Sequence, residues 1–197
     1  LSIRRQRQMC IRDRFGITNP PVEATHSWRQ CLTNMEARNF FEKDNNILFP
    51  QIDMDGEKPG IISGEFPLFN YIIYLCSLVF GYSHWIGRLI NLIISSVGVF
   101  FFYKLIKQHF EDKIAFNAAL ILLVSLWFSF SRKVMPDTFS ISLVLIGIYY
   151  GMKFLYKSEK VIYLILYSLF CCLGVLSKIP SMMLMGCLLY TSDAADE

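Results

Sequence analysis

Three features that would narrow the reading of this chain are missing: metal-spaced cysteines, a strong charge of one sign, and a signal peptide. The six cysteines lack the paired spacing of a metal site, and most of them sit in apolar runs, as packing residues do. A formal net charge of +3 is too small to argue for a polyanionic partner, and nucleic acid is not expected as one. The missing signal peptide excludes nothing where the natural start is itself absent. Long hydrophobic runs are scarce as well. A perpendicular membrane span needs about 20 apolar residues, and only Trp85–Ile106 meets that comfortably.

The two ends are expected to be foreign. One choice of codons for Arg4–Asp13 has a reverse complement that lies within a sequence encoding Cys187–Glu197. The shared string resembles the transposase adapter of a sequencing library, so residues 1–14 and 187–197 are read as translated adapter and set aside. The plainer alternative for the first is a basic arm for nucleic acid or a membrane surface. Without both ends, five arginines and four acids go and the net charge falls to +2.

What is present is apolar, with 54% hydrophobic and 15% aromatic residues, and it is unevenly placed. Polar residues crowd into 15–65. Apolar stretches follow at Phe66–Phe80, Trp85–Ile106, Ile114–Phe130, Thr138–Met152 and Val161–Leu176, and another begins near Pro180. The first is short enough for an interfacial or half-inserted helix. The expected fold is all-α, a polytopic transmembrane helical protein, here a fragment, with a long extracytoplasmic first loop at 15–65 and a truncated transmembrane region at 66–186.

Orientation follows from basic residues near the helix ends. Lys104, Lys107 and Lys113 fill one connection and Lys153, Lys157 and Lys160 the next on that side, against Arg132 and Lys133 opposite. The cytoplasmic side carries the excess of Lys and Arg. The first loop, the Met135-Pro136-Asp137 corner and Lys178 are therefore expected together on the outer face. Within the loop, Asn34–Phe41 has a short amphipathic helical pattern, Asp44-Asn45-Asn46 reads as a turn, and Phe49–Gly56 reads as irregular.

Six short strings then occur in order: His26-Ser27-Trp28-Arg29-Gln30, Glu36-Ala37-Arg38-Asn39-Phe40, Pro50-Gln51-Ile52-Asp53, Glu65-Phe66-Pro67-Leu68, Phe80-Gly81 and Gly87-Arg88-Leu89-Ile90. In this order and spacing they resemble bacterial members of the GT-C superfamily, integral-membrane glycosyltransferases related to protein O-mannosyltransferases and lipid A aminoarabinose transferase. Met135-Pro136-Asp137 and Leu176-Ser177-Lys178 extend the likeness. The resemblance implies a polyprenyl-phosphate sugar donor, a lipid, glycan or protein acceptor, surrounding membrane lipid, an active site on the outer face of the cytoplasmic membrane, and a first-loop acid as catalytic base. The chain departs from the pattern at Leu32-Thr33, where relatives often carry an acid.

Transfer from a polyprenyl phosphate asks little of protein acids, because the leaving phosphate needs no strong proton donor. One carboxylate must take the acceptor's proton, and cations must hold the phosphate. Glu23 is the candidate base, against the reading of a solvated loop acid. Arg29 can fork onto phosphate oxygens, or form an ordering salt bridge with Glu23 or Glu36. Trp28 offers a face to a sugar ring or an anchor at the membrane interface. Gln30 belongs to the same string and is taken as substrate-binding with it. His26 and Glu23, three apart, have ligand-like spacing, which leaves a divalent cation open as cofactor. Two ligands make no metal site, and a hydrogen-bonded histidine is the plainer reading.

Asp53 and Glu65 are further loop acids. Glu65 directly precedes an apolar run, where a substrate contact competes with helix capping. Asp137 sits behind Pro136 at a helix start, and by the resemblance it lines the cleft with Lys178, which would meet the lipid phosphate. Snorkelling to the interface is the other reading of Lys178. The rival functions are a transporter or lipid flippase, disfavoured because the charges lie at helix ends, and a noncatalytic assembly subunit.

Overall fold

The computed structural model describes residues 26–53, 60–61 and 64–186. The two ends read as adapter and the candidate base Glu23 lie outside the described residues.

Among the described residues the chain is all-α, with one isolated antiparallel bridge, Gln51 to Ile61. In order come α1 (Ser27–Glu42), α2 (Leu68–Phe80), α3 (His84–Ile106), α4 (Asp112–Val124), the single turn α5 (Leu126–Ser129) running into a 3₁₀ turn (Phe130–Arg132), α6 (Pro136–Tyr156), α7 (Val161–Ser177) and a 3₁₀ turn (Ile179–Met182). The boundaries have local causes. Pro136 opens α6, where its missing N–H costs nothing, and Asp137 follows in the positive first turn. Gly81 closes α2 at φ 77°, a conformation that favours glycine. Lys178 leaves the helical region at φ −161°, ψ 108° and ends α7 two residues ahead of Pro180.

Two helices are long and apolar enough to cross a membrane, α3 with 23 residues and α6 with 21. At 1.5 Å per residue α3 extends about 35 Å, against a hydrocarbon core of about 30 Å. Outward-facing Val79, Phe80, Ile121 and Val124 are each more than two-thirds exposed, as suits side chains whose solvent is lipid. This is a membrane protein. The apolar stretch Ile114–Phe130 is interrupted at Ser125, between α4 and α5. Ser125 adopts extended backbone there, and its hydroxyl donates to the Leu122 carbonyl at 2.6 Å, competing for the acceptor that a continuous helix would use.

The chain divides into two compact units. One comprises the described residues up to Ile93 together with Leu126–Met135. In it α1 packs on α2, Phe40 setting its ring edge on Tyr71 with centroids 5.6 Å apart. Gly87 lets α3 close on its neighbours, since a Cβ there would come within 2.8 Å of Val134 and 2.9 Å of Ile73. The other unit holds Ile94–Ser125 and the described residues from Pro136 onward. Its seam is made of small residues: a Cβ on Gly147 would meet Cys171 Sγ at 2.6 Å, and one on Gly174 would meet Val144 at 2.7 Å. Ser140 Oγ donates to the Gly174 carbonyl across that seam at 2.8 Å. Close backbone approach and hydroxyl bonding of this kind are how helices associate where lipid removes the hydrophobic drive.

Candidate active site

α1 is longer than the Asn34–Phe41 pattern implied, so that Trp28, Arg29 and Gln30 stand on its first turn. His26 precedes it in the left-handed region at φ 59°, with its ring edge toward Phe130 at 5.5 Å. Trp28 points outward and is 61% exposed. Gln30 is wholly buried, and its side-chain oxygen accepts the Val134 N–H at 3.3 Å. With Asn91, whose amide donates to the carbonyls of Lys133 at 2.8 Å and Met135 at 3.1 Å, Gln30 pins the turn that leads to Met135.

Arg29, Thr33, Glu36 and Phe40 fall on one side of α1, at the three- and four-residue steps of helical neighbours. Arg29 pairs with Glu65 at 3.5 Å. Glu36 accepts a hydrogen bond from the Asn70 amide on α2. Burial pushes the Glu36 carboxyl up to about 7, against the Asn70 hydrogen bond and with help from the charge of Glu65. The first unit thus gathers a guanidinium, two carboxylates and an amide at the foot of α2.

Asp53 lies in the same unit with different company. Lys43 Nζ reaches its carboxylate at 2.6 Å, Asn39 donates to it at 3.0 Å, and Arg38 forms an ion pair with it. The Lys43 hydrogen bond, with Asn39 and Arg38 behind it, holds the carboxyl below its ordinary range. Asn39 also donates to the Gln51 carbonyl at 2.9 Å, so these contacts latch the loop after α1 back onto that helix. The expected turn is there too: Asp44 accepts the Asn46 N–H and Asn46 accepts that of Leu48, each at 3.1 Å.

In the second unit Lys178 Nζ stands 3.7 Å from Asp137, with the lysine side chain 11% exposed. Its backbone carbonyl takes the Ser181 hydroxyl at 2.8 Å and that of Ser140 at 3.4 Å. Among the described residues no three His, Cys, Asp or Glu side chains form a group able to hold a metal, and Glu23, the partner expected for His26, lies outside them.

Glu36 is the residue that sequence reasoning underrated, as no more than a salt-bridge partner for Arg29. Its setting depends on Asn70, 34 positions away. The signal within reach was an acid on the same helix face as Arg29.

A family profile described as dolichyl-phosphate-mannose-protein mannosyltransferase matches residues 58–192. That span takes in Glu65, Asp137 and Lys178 and begins after α1. No curated protein and no solved structure matches the chain. With most of the chain matched and apolar helices of membrane-crossing length in place, this protein belongs to the dolichyl-phosphate-mannose-protein mannosyltransferase family, membrane glycosyltransferases of the GT-C type.

Proposed function

We propose that this protein moves a sugar from a polyprenyl-phosphate donor to a hydroxyl of a lipid, glycan or protein acceptor, on the outer face of the cytoplasmic membrane. The observation that carries the reading is the placement of Arg29 and two carboxylates at the foot of α2, where an apolar helix begins. The acceptor oxygen attacks the anomeric carbon, the bond from that carbon to the phosphate oxygen breaks, and its electron pair leaves with the polyprenyl phosphate. The acceptor proton passes to a loop carboxylate, Glu23 being the sequence candidate.

Arg29 suits the phosphate, since a planar guanidinium offers two parallel donors as charge develops on the leaving oxygens. Its pairing with Glu65 is exposed and easily exchanged for a ligand. Lys178, resting against Asp137, is proposed as a cationic contact for the lipid phosphate, and Trp28 as an interfacial anchor. The bias of lysines toward the α3–α4 and α6–α7 connections supports the outward orientation.

The experiment places Arg29→Ala and Glu23→Gln separately in the full-length protein and measures sugar transfer from a polyprenyl-phosphate donor in membranes. Arg29→Ala is expected to lose about a hundredfold. Full activity in both variants would sink the site.

A further inference from the structure

Glu36 stands apart from the other described acids of the first unit in the company it keeps. Asp53 is held by Lys43, Arg38 and Asn39. Glu65 faces Arg29 at 3.5 Å, and Glu42 faces Arg38 at 3.5 Å. Asp44 accepts a backbone N–H of its own turn. A carboxylate matched with cations or donors is a poor base, because those partners stabilise its charged form. Glu36 has a neutral amide on one oxygen, Oε2, and among the described residues its Oε1 accepts no hydrogen bond. It is half-buried, within reach of a ligand. Asn70 fixes the carboxylate in place, on the side of α1 that also presents Arg29.

We propose that Glu36 is the general base, taking the acceptor proton on Oε1 while Asn70 holds Oε2. This rests on the glycosyl-transfer reading and replaces Glu23 as the proton acceptor. The O–H bond of the acceptor breaks toward Glu36, a C–O bond forms at the anomeric carbon, and the polyprenyl phosphate departs with the electron pair of the old bond. The proton leaves Glu36 to water after release. The charged neighbours of the site are Glu65 and, through it, Arg29. α2 contributes Asn70 together with Tyr71 and Tyr74, whose rings pack on Phe40. Tyr82 donates to the Asn34 carbonyl at 3.1 Å. Of these, Glu65 raises the proton affinity of Glu36 and Asn70 lowers it.

The test compares wild type, Glu36→Gln and Asn70→Ala in the full-length protein, measuring kcat/KM for transfer from a polyprenyl-phosphate sugar between pH 5.5 and 9, roughly the range over which a base of this kind titrates. Wild type should gain activity through a single ionisation near 7. Glu36→Gln should lose about a hundredfold or more with donor KM held within a few-fold. Asn70→Ala should move the midpoint upward, which a merely structural role for the pair would not do. Wild-type transfer that survives in Glu36→Gln, or a midpoint indifferent to Asn70, overturns the assignment alone. Absence of transfer in wild type overturns the functional reading with it.

Discussion

Asn70, third residue of α2, donates its amide to Glu36 on α1, tying a carboxylate with raised proton affinity to the start of an apolar helix. The folded protein therefore prefers Glu36 protonated more strongly than the unfolded chain does. The stabilisation is complete below the ordinary value of 4.5 and is lost as pH rises through about 7. Glu36→Gln should remove this loss and leave the protein more stable than wild type at pH 8, by about 1 to 3 kcal/mol. Thermal unfolding of both forms in detergent at pH 5 and pH 8 checks it. A variant no more stable at pH 8 would mean that Glu36 carries no such cost.

Asn91 is fully buried and serves two carbonyls, those of Lys133 and Met135. Replacement by leucine removes a donor from each carbonyl and leaves that of Lys133 with the Met135 N–H at 2.9 Å, at a total cost of about 1 to 3 kcal/mol. Reduced yield and a lower unfolding temperature for Asn91→Leu are the expected result. Leu89→Ala, on an exposed position of the same helix, should differ little from wild type.

Gly174→Leu should be among the most damaging single changes in the second unit. Its Cβ alone would come within 2.7 Å of Val144 and 3.0 Å of the Ser140 carbonyl, so α6 and α7 would have to part. Overpacking of this kind costs about 1 to 3 kcal/mol or more. Comparison with Leu176→Ala, an outward position on the same helix, isolates the seam from general effects on α7.

Asp53 makes the opposite pH statement from Glu36. Its carboxyl sits below the ordinary 3.8 because of Lys43, Asn39 and Arg38, so its contribution is present above that value and fades as pH falls through the lower folded one. Asp53→Asn should loosen the loop that follows α1 and speed its cleavage by an added protease several-fold at neutral pH. High salt, which screens exposed pairs, should narrow the difference between variant and wild type.

The long apolar helices were legible in the sequence because a run such as Trp85–Ile106 has no other stable fate in lipid. The Asp44-Asn45-Asn46 turn was legible for a local reason, side chains that bond their own backbone. The break at Ser125 was hidden, since apolar residues flank it on both sides. The first turn of α1 was hidden by its polar composition: Gln30 is buried against the Val134 N–H, 104 positions on, and no periodicity announces such a contact. Among the candidate residues, the pairings of Arg29 with Glu65 and of Lys178 with Asp137 needed three dimensions, as did the contact of Glu36 with Asn70.

The central claim meets its most direct test in membranes holding the full-length protein and a polyprenyl-phosphate sugar labelled in the sugar. Label should leave the donor, polyprenyl phosphate should be released, and label should appear in a lipid, glycan or protein fraction, with the rate falling about a hundredfold in Arg29→Ala. Donor that crosses the bilayer with its sugar–phosphate bond intact, or that stays unchanged while the protein is folded, would contradict the claim.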